Sequence, residues 1–489
     1  MKIPRVMSTQ HPDNVTIPSF CKSHIMAGDD EVYEAFYAFS KLNIEEQLWD
    51  AEGKEVDNFV IKKLFSNYTN YFQKNILGQD RFITFRIPNP DVEKDEGKIL
   101  LESLNSIPRN FDIGKKFYGK DIPPIFEVMI PMCFSYKNLI RVHEFYKRFI
   151  VKNQTERLFP NDITVSEWLG PIKPDDIRVT PLFETKDAIL NSHKFVEKYI
   201  DFEKIKNLQR VWFARSDPAL NYGSVACVLL LKMGAMNLFK LQEKKSMDIF
   251  PIMGCGSAPF RGNFTPLNAD KMLKGYPSFQ TFTAQSAFKY DYKEEKVRKA
   301  VDLVNNTKRK KPIMVDEDKI LPIIDKIEKD YQSSIPLIIK RLNEITSFIP
   351  KRRKRKLHID LFGYARKSGN VQLPRAITFC AGLYSLGLPP ELLGLSTLTG
   401  NEIDAIKECY ITLDDDMKDA LQYFNKNSLK LFPKPLQTKA LKVASLFEYE
   451  DNTSHNEETD KIIRALGKND NYNIKEHIHK AGKIRQFLG

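Results

Sequence analysis

The sequence predicts an α/β protein of the (β/α)8 TIM-type barrel class, with additional, mainly C-terminal, α-helices. Short apolar runs alternate with segments of helical periodicity between residues 81 and 257, which is typical of parallel βα units. No Gly-x-Gly-x-x-Gly motif follows the first run, and this favours a barrel over a dinucleotide-binding sheet. From about residue 318 the pattern changes to long helical segments.

The predicted strands are rich in β-branched or aromatic residues, and each ends at Pro, Gly or a charged residue. They are the runs 81–90, 123–132, 176–184, 210–217 and 247–257. Helical periodicity occupies 138–151, 186–200 and 223–242, and later 321–345 and 374–388. The polar stretch 451–460 predicts a loop. We therefore expect a catalytic barrel with an N-terminal loop over residues 1–317, and a mainly helical region packed on it over residues 318–489.

Composition excludes several classes of protein. The 489 residues are 42% hydrophobic and 28% charged, which is ordinary for a globular chain and argues against disorder. No run of 18 consecutive apolar residues occurs, and the N-terminus lacks the apolar core of a secretory signal, so we expect no membrane span and no leader. Six scattered cysteines without metal-type spacing predict reduced thiols in the cytoplasm.

Excess positive charge is concentrated in two runs. The chain carries 75 Lys and Arg against 63 Asp and Glu, a formal net charge of +12. The runs are 308–311 and the stronger KRRKRK at 351–356. Without interleaved aromatic residues, such a run is typical of a solvated turn or helix end. Nucleic-acid binding, or contact with an anionic ligand or another subunit, remains an alternative.

Polar side chains fall where the predicted strands end, which is where barrel enzymes carry their chemistry. These ends carry Arg86, Glu127, Glu184, Asp217 and Ser257. Glu184 and Asp217 are one strand–helix–strand repeat apart, so they would stand on neighbouring strands. Two carboxylates together with substrate oxygens and water suit Mg²⁺ or Mn²⁺. The alternative is that both residues are ordinary strand-end caps or ion pairs.

Two further segments hold candidate functional residues. In GCGSAPFRGN (254–263), glycines around Arg261 could let backbone amides and a guanidinium approach an oxyanion, with Gly254, Gly256 and Ser257 in the turn. The segment could equally be a plain tight turn. His11 stands in STQHPDN near the N-terminus, and a single loop histidine is by itself uninformative.

Taken in order, nine blocks of the chain resemble the archaeal-type, short phosphoenolpyruvate carboxylases. No single block is specific, but the combination is, and it covers nearly the whole chain. The blocks are STQHPDN (8–14), WDAEGK (49–54), FRIPNP (85–90), PLFET (181–185), ARSDPALNYG (214–223), GSAPFRGN (256–263), QSAFKYD (285–291), HIDLFGYAR (358–366) and LPRAITFCAGLYSLGLPPELLGL (373–395).

A looser resemblance to the longer bacterial and plant carboxylases implies roles for single residues. Their His-Pro motif falls on His11, the histidine needed to carboxylate the enolate. Their metal ligands fall on Glu184 and Asp217, and their bicarbonate arginine falls on Arg261. Their Asp-Arg-Asp-Gly block is similar to residues 50–53, which makes Asp50 and Glu52 expected substrate-site residues.

The chain also departs from the longer enzymes. The lysine three residues after their metal aspartate is Leu220 here, and their His-Gly-Arg is residues 253–255, Met-Gly-Cys. Two positive groups are therefore missing from the expected phosphate pocket. Arg86, Arg215 and Lys289 are the candidates for replacing them, and each could instead be a structural ion-pair partner.

The resemblance implies conversion of phosphoenolpyruvate and bicarbonate to oxaloacetate and phosphate, with Mg²⁺ or Mn²⁺, by a homotetramer that binds neither nucleic acid nor membrane. Rival interpretations are another barrel lyase of the phosphoenolpyruvate/pyruvate type and a basic nucleic-acid binder. The C-terminal IRQFLG (484–489) is expected to dock with Phe487 and Leu488 buried, placing Arg485 or the end of the chain near the barrel mouth. Simple packing of a terminal helix is the alternative.

Overall fold

Eight parallel strands close into a barrel in the computed structural model, which describes residues 2–53, 57–94, 97–354, 367–368 and 371–489. Each strand pairs with the next in sequence, and the first pairs with the last. The predicted fold class is thus confirmed. The strands are β1 (Val6–Ser8), β2 (Glu46–Asp50), β3 (Phe82–Arg86), β4 (Ile125–Ile130), β5 (Val179–Phe183), β6 (Leu208–Ala214), β7 (Asp248–Gly254) and β8 (Thr281–Ala284).

The five predicted apolar runs are β3 to β7, whereas β1, β2 and β8 have no counterpart among the predictions. Strands β1 and β8 have three and four residues, too few to produce a strong periodic pattern. Strand β2 has five residues, but its sequence EQLWD mixes charged and polar residues with only two apolar ones. Barrel closure selects them, because each finds hydrogen-bonding partners on both sides.

Helices follow the strands and cover the outside of the barrel. They are α1 (Asp29–Ser40), α2 (Val60–Asn67), α3 (Thr69–Lys74), α4 (Gly97–Tyr118), α5 (Tyr136–Phe145), α6 (Val165–Leu169), α7 (Lys186–Leu190), α8 (Ser192–Glu203), α9 (Ser216–Tyr222), α10 (Ser224–Lys245), α11 (Ala269–Gly275), α12 (Ser286–Tyr290) and α13 (Glu294–Asn306). A π-helix, Tyr146–Val151, continues α5, and short 3₁₀ turns occupy Lys152–Thr155 and Pro259–Arg261.

The C-terminal region is mainly helical, as expected. Its elements are α14 (Glu317–Thr346), a small antiparallel pair β9 (Lys367–Ser368) and β10 (Val371–Gln372), α15 (Ala376–Ser385), α16 (Gly400–Cys409), α17 (Leu413–Leu421), α18 (Lys434–Ala444), α19 (Thr453–Gly467) and α20 (Asn471–Arg485), with 3₁₀ turns at Pro390–Leu392 and Lys426–Leu431. Helix α14 packs against α9 and α10. The division of the chain at residue 317 stays a prediction.

One predicted loop is wrong. Segment 451–460 contains the start of α19, which begins at Thr453. The Asn452 side chain accepts a hydrogen bond from the His455 amide at 3.1 Å and so caps the helix. His455, Glu458 and Thr459 are buried on its inner face, so polar residues make the packing surface here and the usual apolar signal is absent.

The interior of the barrel has an apolar layer near its mouth and an ionic layer below it. In the ionic layer, Arg210 donates to Glu46 at 2.8 Å and to Glu127 at 2.7 Å, and all three side chains are fully buried. Glu127 therefore belongs to the barrel core and not to a strand end, contrary to the sequence prediction. The apolar layer consists of Met7, Leu48, Met129, Leu182, Trp212, Ala214 and Ile252.

Helix α10 is the one helix, within the described parts of the chain, that is long and apolar enough to cross a membrane by length and composition. The prediction of no membrane span rests on the absence of 18 consecutive apolar residues, and Lys232 and Asn237 interrupt the apolar sequence of α10. In the structure 83% of the most apolar stretch of α10 is buried, between the barrel and α14. A core helix passes the same test of length and composition.

The basic run at 351–356 is not simply a solvated turn. Arg353 is buried and donates to Glu31 and Glu34 at 2.8 Å each. Arg352 donates to the backbone oxygen of Val15 at 3.0 Å, which ties this segment to the N-terminal loop. Lys351 and Lys354 are exposed, as expected for a solvated run. Residues 355 and 356, and the block at 358–366, lie outside the described residues.

Candidate active site

A cavity of about 120 Å³ opens at the C-terminal ends of the strands. Every strand contributes to its wall, either directly or through the residues that follow it, and the first residues of α15 close one side. The lining residues are His11, Leu48, Glu52, Gly53, Arg86, Met129, Leu182, Glu184, Trp212, Ala214, Arg215, Ser216, Asp217, Gly254, Arg261, Thr283, Gln285, Arg375, Ala376 and Ile377.

Most of the site residues predicted from the sequence line this cavity. The barrel brings together eight of them, although they are spread over 251 positions: His11, Glu52, Arg86, Glu184, Arg215, Asp217, Gly254 and Arg261. Four do not line it, namely Asp50, Gly256, Ser257 and Lys289. Each of these four has an identifiable structural task, described below.

Three carboxylates meet on one side of the cavity. Glu184 directly follows β5, Asp217 lies in the first turn of α9, and Glu52 follows β2. The pKa of Glu184 is raised well above its usual value, first because the group is buried and then because the Asp217 and Glu52 carboxylates are near. Such mutual repulsion is what a bound cation would relieve. Its Oε2 also accepts a hydrogen bond from the Met132 amide at 3.1 Å, which fixes the side chain.

The protein oxygens alone do not complete a metal site. Within the described residues, no group of three or more His, Cys, Asp or Glu side chains is arranged to hold a metal ion. Hard cations such as Mg²⁺ commonly take one or two carboxylates and fill their other positions with water and substrate oxygens. The donor set of Glu184 and Asp217 fits that pattern.

Arg86 and Asp50 form the frame that holds Glu52. The Arg86 guanidinium donates to both oxygens of Asp50, at 2.8 and 2.6 Å, and its Nη2 lies 2.7 Å from Glu52 Oε2. Asp50 also accepts from the Gly53 amide at 2.9 Å. Asp50 therefore acts through Arg86 and the following turn, and does not itself line the cavity. Arg86 does line the cavity, so it is both a structural ion-pair partner and a cation that faces the cavity.

Arg215 is a buried guanidinium with donors to spare. The residue is 1% exposed, yet only its Nη2 has a described partner, the Ser224 hydroxyl at 2.9 Å. Its Nε and Nη1 have no hydrogen-bond partner. Buried polar groups are almost always satisfied, and an unpaired charged donor carries a large desolvation penalty. An anion in the cavity would remove that penalty.

Arg261 is held by contacts from four parts of the chain. Its Nε donates to the Ser216 hydroxyl at 3.1 Å, its Nη1 to Asp13 at 3.2 Å and to the Gly489 oxygen at 2.7 Å, and its Nη2 to Gln285. One N–H of the five therefore remains for a ligand. These contacts fix the plane of the guanidinium in the cavity wall.

The glycine-rich turn positions Arg261, and its own amides are not available to bind an anion. The Gly256 amide donates to the Arg261 carbonyl at 2.8 Å, and the Ser257 amide is turned towards Asp13. A Cβ on Gly256 would lie 2.9 Å from Arg261 Nη1, so glycine lets the guanidinium pack against the turn. The expectation that Gly256 and Ser257 bind substrate through their amides is therefore wrong, because those amides are already used.

Lys289 is also not a cavity residue. Its ammonium group donates to Glu34 at 2.8 Å, to the Ser8 hydroxyl at 2.9 Å and to the Thr9 carbonyl at 3.0 Å. Glu34 is shared with Arg353, so the two cations and this carboxylate form one buried network. The structural ion-pair alternative is the correct one for Lys289.

His11 reaches the cavity from the loop after β1. Its Nδ1 lies 3.0 Å from the Thr9 hydroxyl, which orients the ring. Two residues later, Asp13 accepts from the Ala287 amide at 2.7 Å and anchors this loop to α12. The loop conformation thus places His11 in the wall of the cavity.

Sequence reasoning missed one cationic lining residue, Arg375, together with Gln285 and Trp212. Arg375 lies in the quoted block at 373–395 and precedes the first turn of α15, whose Ala376 and Ile377 also line the cavity. The available signal was an arginine at a helix start inside a block of the resemblance. Its position in the C-terminal region gave no reason to place it at the barrel mouth.

The C-terminal segment docks as expected, with Phe487 and Leu488 buried. The Leu488 amide donates to the Asp13 carbonyl at 2.7 Å, and the Gly489 oxygen reaches Arg261. Arg485 lies further away, where it contacts His455 and the Leu488 carbonyl. The group near the barrel mouth is thus the Gly489 oxygen and not the Arg485 side chain.

A barrel with paired carboxylates and buried arginines at its C-terminal mouth defines an enzyme site for a small anionic substrate. Within that class, the chain belongs to the phosphoenolpyruvate carboxylase family, because the family model described as phosphoenolpyruvate carboxylase matches residues 3–489. Phosphoenolpyruvate carboxylases of Pyrococcus furiosus and Methanothermobacter thermautotrophicus are 46% and 44% identical over 489 residues, which is 100% of each chain. Haloferax volcanii malate synthase, solved as a magnesium/glyoxylate complex, is 9% identical with a TM-score of 0.37, covering 70% of this chain and 94% of that chain.

Proposed function

We propose that this chain is a carboxy-lyase that converts phosphoenolpyruvate and bicarbonate to oxaloacetate and phosphate in the cavity at the barrel mouth. The full-length relatives bear the name of this activity. The observation that carries the assignment to this cavity is Arg215, a buried guanidinium with two unpartnered donors in a wall that also presents Glu184 and Asp217. Unpaired cationic donors beside a carboxylate cluster suit an anionic substrate that binds together with a cation.

Glu184 and Asp217 would hold Mg²⁺ or Mn²⁺. When bound, such an ion neutralises part of the substrate's negative charge and stabilises the charge that develops on the enol oxygen. The crowding of Glu184 by Asp217 and Glu52 supports this assignment. Arg86 keeps Glu52 in place beside the pair, since its Nη2 bridges Asp50 and Glu52.

Arg215 would bind the phosphoryl group in place of the lysine and arginine of the longer enzymes. Leu220 and Cys255, which occupy those two positions, are fully buried and bring no charge. The free Nε and Nη1 of Arg215 can each donate a charge-assisted hydrogen bond to the oxygens of a phosphate or carboxylate group. Arg375 supplies a second cation on the same cavity.

Arg261 would position bicarbonate for the first step. A bicarbonate oxygen forms a bond to phosphorus while the bond between phosphorus and the enol oxygen breaks, giving carboxyphosphate and the enolate. Phosphoryl transfer of this kind depends mainly on alignment and charge. The contacts to Asp13, Ser216 and Gln285 hold the guanidinium rigidly enough for that alignment.

His11 and the apolar floor would serve the second step. Carboxyphosphate loses phosphate to give CO₂, with His11 carrying the proton, and C3 of the enolate then attacks CO₂. Leu48, Met129, Leu182 and Trp212 form an apolar floor, which suits an uncharged molecule and excludes water. Excluding water suppresses protonation of the enolate to pyruvate.

Variants of the two carboxylates test the proposal. Glu184→Gln and Asp217→Asn should each abolish oxaloacetate formation while leaving the melting temperature close to that of the parent, because each removes a ligand and no core packing. Asp248→Asn, at the other end of the barrel, is a matched control and should keep full activity. Normal turnover of both site variants at saturating Mg²⁺ would refute the metal assignment.

We also propose that the enzyme works as a homotetramer in the cytoplasm, which the family resemblance supports. All six cysteines are free thiols, a pattern typical of proteins in reducing compartments. A nucleic-acid role for the basic runs is not favoured, since Arg353 and Arg309 are engaged in ion pairs with acidic side chains of the same chain.

A further inference from the structure

The connection between β4 and β5 contains an apolar segment whose large side chains are mostly exposed. After α5 the chain returns to the N-terminal end of the barrel and forms an arm, residues 149–170, before β5 begins at Val179. The structure describes every residue from 151 to 178, and none of them is buried. Six large apolar side chains in the arm are between 50% and 64% exposed: Phe149, Leu158, Phe159, Ile163, Trp168 and Leu169.

The arm is ordered by its own hydrogen bonds. The Val165 amide donates to the Glu156 carbonyl at 2.9 Å, and Arg157 donates to the Asp162 carbonyl. Thr164 and Glu167 form a capping box that starts α6. The arm therefore has a defined backbone structure, and its apolar side chains are exposed on the surface of that structure.

We propose that the arm is the contact surface for the arm of a second copy of this chain, related by a twofold axis. Exposed patches of this size on soluble proteins usually mark interaction sites. Six side chains of roughly 200 Å² each, about 60% exposed, amount to roughly 700 Å² of apolar surface per chain, close to the ~800 Å² that each partner buries in a standard stable interface.

The charges of the arm favour a second copy over other partners. A twofold contact places a patch against itself, so a strongly charged patch would repel its copy. The arm is nearly neutral, with two cationic and three anionic residues, although the whole chain carries +12. A surface with that balance does not attract nucleic acid or an anionic membrane. The charged residues are Lys152, Glu156, Arg157, Asp162 and Glu167.

This assignment goes beyond the proposed activity and does not depend on it. The arm extends from the N-terminal end of the barrel, whereas the cavity lies at the C-terminal end. Loss of the contact would leave the lining of the cavity in place. Molecular mass therefore tests the arm, and oxaloacetate formation tests the cavity.

Tryptophan fluorescence provides a test without altering the arm. The chain has three tryptophans, of which Trp49 and Trp212 are buried and Trp168 is exposed in the single chain. If the arms pair, Trp168 is shielded. At micromolar protein concentration, iodide should then quench the tryptophan fluorescence of the parent no more than that of Trp168→Phe. Quenching of Trp168 comparable to that of a free tryptophan would overturn the proposal.

A pair of matched double variants tests the same point by light scattering after gel filtration. Leu158→Glu with Phe159→Glu should reduce the mass to half that of the parent or less and make Trp168 accessible to iodide. Leu441→Glu with Tyr472→Glu, exposed apolar positions outside the arm, should keep the parent mass. An arm variant with the parent mass, or a parent that is itself a 56.7 kDa monomer, would refute the assignment.

Discussion

Replacing Arg215 by methionine removes the cation that we assign to the phosphoryl group while keeping an apolar stem of similar length. Two guanidinium nitrogens of Arg215, Nε and Nη1, have no partner, and only Nη2 is tied to Ser224. The loss should therefore fall on substrate binding and on the transition state, and not on the fold. Arg215→Lys keeps the charge but lacks the fixed planar set of guanidinium donors, so it should restore only part of the activity.

The size of the effect follows from the two free donors. A hydrogen bond that involves a charged group contributes about 1.5–3 kcal/mol, so two of them amount to roughly 3–6 kcal/mol. At about 1.4 kcal/mol for each factor of ten, kcat/KM for phosphoenolpyruvate should fall by roughly 10²- to 10⁴-fold in Arg215→Met. The melting temperature should change little, because the variant loses the hydrogen bond to Ser224 but no longer buries two guanidinium nitrogens without hydrogen-bond partners.

The assay couples oxaloacetate to malate dehydrogenase over a range of phosphoenolpyruvate concentrations. Arg309→Lys is a matched control, because Arg309 pairs with Asp248 and donates to the Ile249 carbonyl at the opposite end of the barrel. Its kcat/KM should match that of the parent. A value for Arg215→Met within about threefold of the parent would show that the free donors do not face substrate, and the reasoning would fail.

Three further changes have defined outcomes. His11→Asn should keep bicarbonate-dependent phosphate release but yield more pyruvate than oxaloacetate, and loss of all phosphate release would place His11 in the first step instead. Gly489→Ala should lower kcat several-fold with little change in melting temperature, because a Cβ would lie 2.1 Å from the Ile377 carbonyl and displace the contact to Arg261; unchanged kcat would make the tail purely structural. Burial lowers the pKa of Lys232 from 10.5 to about 8, so Lys232→Met should raise the free energy of unfolding at pH 7, by at most ~3 kcal/mol less the cost of losing the hydrogen bond to the Gly275 carbonyl. That gain should shrink between pH 8 and 10.5, where the parent lysine deprotonates in the folded state before it would in the unfolded chain, and urea unfolding at pH 7 and pH 10 with no such change would contradict it.

Residues that follow predicted strands were the ones that the sequence located best. Glu184, Asp217 and Arg261 each stand just after an apolar run, and parallel strands in a barrel bring such positions to one mouth. The position of a residue relative to a predicted strand therefore indicates that it lies at the barrel mouth. Roles for the same residues came from the resemblance and remain proposals.

Contacts between distant parts of the chain could not be predicted in the same way. Lys289 looked like a candidate phosphate ligand, but its partner Glu34 is on α1, and no sequence pattern links the two. Arg375 reaches the cavity from a helix beyond the barrel. The pairing of buried charges depends on tertiary packing, which determines whether a cation faces a ligand or a carboxylate of the same protein.

Helix α19 and strand β1 show the complementary limit of periodicity. The inner face of α19 carries His455 and Glu458 within the polar stretch from which a loop is predicted, and β1 has only three residues. Both elements are stabilised by their neighbours: α19 packs against α20, and β1 is hydrogen-bonded to β2 and β8. Patterns within a single segment do not contain that information.

The most direct test of the central claim follows the oxygen atoms of bicarbonate. Turnover of phosphoenolpyruvate with freshly dissolved HC¹⁸O₃⁻ should give inorganic phosphate that carries one ¹⁸O, detected by mass spectrometry, because a bicarbonate oxygen bonds to phosphorus and remains there when CO₂ leaves. Phosphate release should stop when bicarbonate is omitted. Unlabelled phosphate, or release that continues without bicarbonate, would contradict the account and point to a barrel lyase that does not use bicarbonate.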